Sequence, residues 1–75
     1  MHEPLTFGEV QKRVRAKWGP KSRVRIYPAW HGGWWAEAYV NGKPCPTVTV
    51  SAAWEDYALR SLVAAVEASD ASADR

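Results

Sequence analysis

The six residues Trp30-His31-Gly32-Gly33-Trp34-Trp35 hold the densest store of recognition chemistry in this chain. Indole faces give unpaired nucleobases a surface to stack on, each such contact being worth ~1–3 kcal/mol. The same side chains, with Tyr and Arg, anchor protein interfaces. His31 adds a group that donates, accepts or carries a proton near neutral pH. Just upstream, Lys12, Arg13, Arg15, Lys17, Lys21, Arg23 and Arg25 follow one another with no acid in residues 12–25, a local +7 in a chain of net charge +2. Cations gathered in one segment point to a polyanionic partner more than scattered lysines would.

Other chemistries find little support. His2, His31 and Cys45 lack the paired spacings of a zinc site. Cys45 lies between Pro44 and Pro46 with no histidine nearby in sequence to activate it, so it reads as a small apolar residue rather than a nucleophile. Glu37, Glu55 and Asp56 form no recognisable acid–base pair. No catalytic residue, metal, cofactor or small-molecule substrate is therefore expected.

The elements that position these residues follow from periodicity. Residues 5–18 read as an amphipathic helix with Thr6 as N-cap and Glu9 completing a capping box. Leu5 and Val10 form its hydrophobic staple, and Phe7, Val10, Val14 and Trp18 share the inward stripe. Gly19-Pro20 ends it. Three strands follow: 23–27, closed by Pro28; 34–40, ending in the Asn41-Gly42 turn; and 46–50, with Pro46 at its start. Alternation turns Val24, Ile26, Trp34, Ala36, Ala38, Val40, Val48 and Val50 toward the helices. It turns Arg23, Arg25, Tyr27, Trp35, Glu37, Tyr39, Thr47 and Thr49 outward. Ser51 reads as the N-cap of a second helix through about residue 68, with Glu55 and Asp56 in its first turn and Trp54, Ala58, Leu62, Ala65 and Val66 inward. The expected fold is α+β, in the order α-β-β-β-α, with two helices on one face of a three-stranded antiparallel sheet. Residues 1–4 read as a flexible start, 5–68 as the single domain and 69–75 as a disordered tail.

Composition sets the outer bounds. Seventy-five residues, 47% apolar and 24% charged, make one folded domain. No apolar run approaches the ~20 residues of a membrane span, and Met1-His2-Glu3-Pro4 lacks the basic start and apolar stretch of a secretory signal. One cysteine forms no internal disulfide, and a cytoplasmic location without membrane contact is expected. Five tryptophans remain conspicuous. Trp18, Trp34 and Trp54 are expected in the core, and Trp30 and Trp35 at least partly in solvent.

Over residues 5–67 the chain resembles the double-stranded RNA-binding domain. His31 sits near the histidine of that family's first strand–strand loop, with Trp35 in place of the aromatic residue that follows. Tyr39-Val40-Asn41-Gly42-Lys43 is similar to its second-strand exit, and Ser51 to the serine that opens its second helix. The resemblance implies the fold. The family's phosphate-gripping lysine cluster is missing, however, because Ala52, Ala53, Trp54, Glu55 and Asp56 stand in its place. The run from Trp34 through Val40 to Gly42, followed by a Ser-capped helix, is also similar to small uncharacterised phage and plasmid proteins. The element order resembles HicA-type messenger-RNA-cleaving toxins too, which would make His31 catalytic. Their Gly-Ser-His motif is absent, since Ala29 and Trp30 precede His31.

The function expected on these grounds is a small, non-enzymatic nucleic-acid-binding module. Lys12, Arg13, Arg15, Lys17, Lys21, Arg23 and Arg25 contact phosphates, and Trp30, His31 and Trp35 stack or anchor, with DNA and RNA left open. The alternative is a protein-interaction module or homodimer, for example a phage-type modulator of a host protein, using Tyr27, Trp30, Trp35 and Tyr39. A HicA-like RNA-cleaving toxin is the third reading.

Overall fold

The computed structural model describes residues 5–69, so the flexible start expected at 1–4 and all but the first residue of the tail expected at 69–75 lie outside the described residues. The element order is α1 (Phe7–Trp18), β1 (Arg23–Pro28), β2 (Trp34–Tyr39), β3 (Val48–Ala52) and α2 (Glu55–Ala68). The strands form one antiparallel sheet in the order β1-β2-β3, and both helices pack on one of its faces, α1 over β1 and α2 over β2 and β3. The α+β architecture read from periodicity is the one observed.

α1 begins where its cap predicts. The Thr6 hydroxyl accepts the Glu9 backbone N–H at 3.1 Å, satisfying one of the donors that every helix start leaves open. Glu9 then turns along the helix to Arg13, 3.5 Å away. Val10, Val14 and Trp18 are buried, one per turn, and Leu5 packs against them from outside the helix. Phe7, expected on the same stripe, is 40% exposed. It stands at the first helical position.

The start of α2 departs from the sequence reading. β3 runs to Ala52, two residues beyond the expected end, because Ser51 and Ala52 still have partners in Trp35 and Trp34 of β2. Ser51 is therefore a strand residue and not the helix cap; the cap position falls on Trp54, which supplies no side-chain hydrogen bond. Trp54, expected in the core, is 66% exposed. Its extended backbone (φ −125°, ψ 144°) takes it off the helical stripe that starts one turn later. That stripe is Ala58, Leu59, Leu62, Val63 and Val66, so the buried face is wider than the i, i+4 row alone.

The two helices run in the same direction. At their starts the Leu5 backbone N–H donates to Asp56 Oδ1 at 3.2 Å, and at their ends Lys17 Nζ donates to the Glu67 carbonyl at 3.1 Å. β1 runs back up beside them, so the β1–β2 loop, the end of β3 and both helix N-termini share one end of the molecule.

That end is closed by a tight hairpin. The Gly32 N–H donates to the Ala29 carbonyl at 3.1 Å and the Ala29 N–H to the Gly33 carbonyl at 2.9 Å. Gly32 has φ 96° and Gly33 φ 84°, so Trp30-His31-Gly32 forms a three-residue turn with a glycine bulge. At Gly33 a side chain would also collide: an added Cβ lies 2.7 Å from the Ala52 carbonyl oxygen. The other hairpin, between β2 and β3, is looser. Its Asn41-Gly42 turn closes through Lys43 N–H to the Val40 carbonyl at 2.9 Å, but residues 43–47 intervene before β3.

Gly33→Ala should lower stability by at least ~2 kcal/mol, combining backbone strain with a clash against a strand carbonyl. Gly32→Ala, strained but facing open space, should lower it by ~1 kcal/mol. Urea unfolding of the two variants checks the order, and equal losses would show that the Gly33–Ala52 approach does not matter.

Candidate functional site

The face of the sheet away from the helices carries most of the expected side chains. The register pairs Arg23 with Tyr39, Arg25 with Glu37 and Tyr27 with Trp35 across β1 and β2, and Glu37 with Thr49 and Trp35 with Ser51 across β2 and β3. Because side chains alternate along a strand, all of these point outward together. Trp34 is the inward one of the adjacent pair and packs against the core.

Glu37 organises this face. Its Oε2 accepts the Tyr27 hydroxyl at 3.0 Å and its Oε1 accepts the Tyr39 hydroxyl at 2.9 Å, so one carboxylate ties together a neighbour two residues along its own strand and a residue on the next. The Arg23 guanidinium lies 4.4 Å from the centre of the Tyr39 ring, and that of Arg25 lies 5.5 Å from the Tyr27 ring. Covered in this way, Tyr39 is only 5% exposed although it belongs to the outer face. The hydrogen bond to Glu37 is the main reason the Tyr27 phenol titrates above its ordinary 10.0, with desolvation second. Arg25 is held charged beyond its usual range, chiefly by the Tyr39 hydroxyl.

The aromatic series continues into the loop. The His31 ring lies 6.2 Å from Trp35 and 5.3 Å from Trp30, each at a tilt near 60°, within the range of favourable ring contacts. His31 Nδ1 is 2.8 Å from the Gly32 carbonyl. A carbonyl only accepts, so Nδ1 donates in this contact. Trp30 at the turn's corner is 94% exposed. From Arg23 a strip of cations and rings thus follows the six residues of β1, about 20 Å, and continues to Trp30 in the turn. Beside its upper end an open groove of about 430 Å³ lies between the loop and the β3–α2 connection, lined by His31, Gly33, Trp34, Ser51 and Ala53.

The basic segment is divided between two layers. Arg23 and Arg25 lie on the outer sheet face, whereas Lys12, Arg13, Arg15 and Lys17 project from the exposed side of α1, with Lys21 in the turn between. Two helix cations have structural tasks. Arg15 Nε donates to the Ser22 carbonyl at 3.0 Å, and Lys17 caps the last turn of α2, where a cation also meets the negative end of the helix dipole. Arg13 pairs with Glu9. The seven cations therefore do not form one patch, because a tight turn after Trp18 sends the chain from the helix layer into the sheet.

Sequence reasoning overlooked Glu37 as the centre of the face. Its i, i+2 relation to Tyr39 was visible, but the link to Tyr27 needs the strand register. It also overlooked the exposed aromatics at the helix starts, Phe7, Trp54 and Tyr57. Among the described residues no group of three or more His, Cys, Asp or Glu side chains comes together to hold a metal, and no helix is long and apolar enough to cross a membrane. Cys45 is exposed and unpaired. No protein-family model, curated protein or solved structure matches the chain, so the site is read from its own chemistry.

The raised Tyr27 titration fixes a sign for pH dependence. The Glu37 bond contributes its full stability while the phenol is protonated in both folded and unfolded chains, below pH 10.0. It is lost as pH rises through the higher folded value. Absorbance titration near 295 nm should therefore show one tyrosine ionising late. In Glu37→Gln that tyrosine should ionise earlier; an unchanged curve would remove Glu37 as its partner.

Proposed function

We propose that the outer sheet face binds single-stranded nucleic acid, without a catalytic step. The observation that carries this reading is the strip Arg23–Tyr39–Glu37–Tyr27–Trp35–His31–Trp30, joined by side-chain contacts from Arg23 to Tyr27 and from Trp35 to Trp30 and by strand pairing between Tyr27 and Trp35, with cations over rings at one end. Sheet-based readers of single strands stack two or three bases on such a surface. Here Trp30, His31 and Trp35 offer the stacking faces, and Arg23 and Arg25 meet the phosphates. The carboxylate of Glu37 does not spoil the face, because both of its oxygens are engaged by phenols and two guanidiniums outweigh its charge. Lys12, Arg13 and Lys21, off this face, add long-range attraction.

The element order also fits the outline of the double-stranded RNA-binding domain, yet the ligand we favour is not a duplex. The family's helix-opening serine would correspond to Ser51, which lies in β3, and α2 opens with Glu55 and Asp56 where that family presents lysines. The non-enzymatic reading draws on the surroundings of His31, whose contacts among the described residues are a backbone carbonyl and two indoles, with no carboxylate to orient it. A cytoplasmic location belongs to the same proposal.

Titrating the protein with a short mixed-sequence oligonucleotide, single-stranded and as a duplex, tests this by tryptophan fluorescence. Single strands should quench the signal and bind more tightly than the duplex. The logarithm of affinity should fall with that of salt by about 0.7 per phosphate contact. Trp30→Ala should weaken binding by ~1–3 kcal/mol at an unchanged salt slope, while Arg23→Gln with Arg25→Gln should flatten the slope. No quenching at low salt, or a Trp30→Ala variant that binds as the parent does, would overturn the proposal in favour of a protein partner for this face.

A further inference from the structure

Among the described residues the sheet has two open edges, and they differ in kind. The Ala29–Gly33 bond makes those residues a hydrogen-bonded pair, and alternation along the antiparallel ladder makes Tyr27/Trp35, Arg25/Glu37 and Arg23/Tyr39 hydrogen-bonded pairs as well. The backbone groups of Val24, Ile26 and residue 28 then turn to the free edge of β1. Residue 28 is proline, with no N–H to offer, and the strand carries Arg23 and Arg25. Proline and charge are the usual means of keeping an edge from pairing with another chain.

β3 has neither. By the same alternation Trp34, Ala36 and Ala38 of β2 face Ala52, Val50 and Val48; just before β3 begins, the Ala38 carbonyl takes the Thr47 N–H at 2.9 Å, one residue out of that alternation. The backbone N–H and C=O of Thr49 and Ser51 are left facing the free edge. From Thr47 to Ala53 the sequence Thr-Val-Thr-Val-Ser-Ala-Ala has no charge and no proline. The helix above is equally permissive. α2 turns Asp56 toward α1; at 100° per residue, Ser61 and Ala65 fall on the opposite flank, over β3. From Ser61 onward, small uncharged residues there leave room for a second helix beside the first, while Tyr57, 58% exposed, stands on the same flank at the start of the helix.

We infer that the β3 edge pairs antiparallel with β3 of a second copy of this chain, giving a two-fold dimer with one continuous six-stranded sheet. A strand edge read antiparallel against itself is self-complementary, as a two-fold interface requires; at the β1 edge the same pairing would bring arginines together and lack the donor at Pro28. This inference does not rest on the nucleic-acid reading. If both hold, the two outer strips lie on one face, joined across a neutral centre of Thr49 and Ser51.

Amide hydrogen exchange and light scattering on the full chain test it. At high micromolar concentration the scattering mass should be that of two chains, and the amides of Thr49 and Ser51 should exchange more slowly than on dilution. Those of Val24 and Ile26 should exchange at one rate throughout. Thr49→Pro removes an edge donor without touching the β2 ladder, and should weaken association at least tenfold while the circular dichroism spectrum stays the same. A single-chain mass at all concentrations would overturn the inference. So would a two-chain mass that survives Thr49→Pro with Thr49 and Ser51 unprotected, which would place the contact elsewhere. Neither outcome bears on oligonucleotide binding by the monomer.

Discussion

The register of β1 against β2 decides what this protein presents to its surroundings, and the turn Trp30-His31-Gly32 sets that register. A slip of one residue moves every side chain of a strand to the opposite face. Here it would send Arg23, Arg25 and Tyr27 under the helices and bring Val24 and Ile26 into water. The bond between Ala29 and Gly33 and the left-handed backbone of both glycines prevent this. The close approach of Gly33 to Ala52 ties the same turn to the third strand. One loop thus fixes the faces of the sheet and carries its most exposed tryptophan.

Given that register, the outer face behaves as a preassembled unit. A sheet face left to solvent normally consists of independent polar side chains. Here Glu37 holds two phenols in place and two guanidiniums lie on their rings. A ligand meeting Arg23, Arg25 and Tyr27 finds side chains whose rotamers are already restricted, so less conformational entropy is lost on contact. The same network explains how a residue as large as Tyr39 is buried on the face that has no hydrophobic core.

Much of this was legible in the sequence. Thr6, the stripe of Val10, Val14 and Trp18, and the alternation from Trp34 to Val40 placed the first helix and the central strand, with Trp34 inward and Trp35 outward as expected. The errors cluster at the β3–α2 junction. Ser51 is a favourable helix cap by type, and only its pairing with Trp35 across the sheet makes it a strand residue. Trp54 then inherits a cap position that no propensity favours, and an indole expected in the core stands in solvent. The candidate site was legible as a list of residues but not as an arrangement. Proximity in sequence suggested a single basic patch, whereas the turn at 19–22 puts Arg15 and Arg23 on opposite layers. The link from Tyr27 to Glu37 depended on pairing between strands, which local patterns do not contain.

The shared direction of the two helices also has a mechanical consequence. Leu5 lies at the start of α1, at one end of the molecule, and Ser69 lies past the end of α2, at the other. Tension applied between those points pulls α1 toward the hairpin end and α2 away from it, so the load falls as shear along the packed interface rather than peeling one element at a time. The Leu5–Asp56 and Lys17–Glu67 bonds lie at the two limits of that interface, with the buried valines and leucines between them sharing the force.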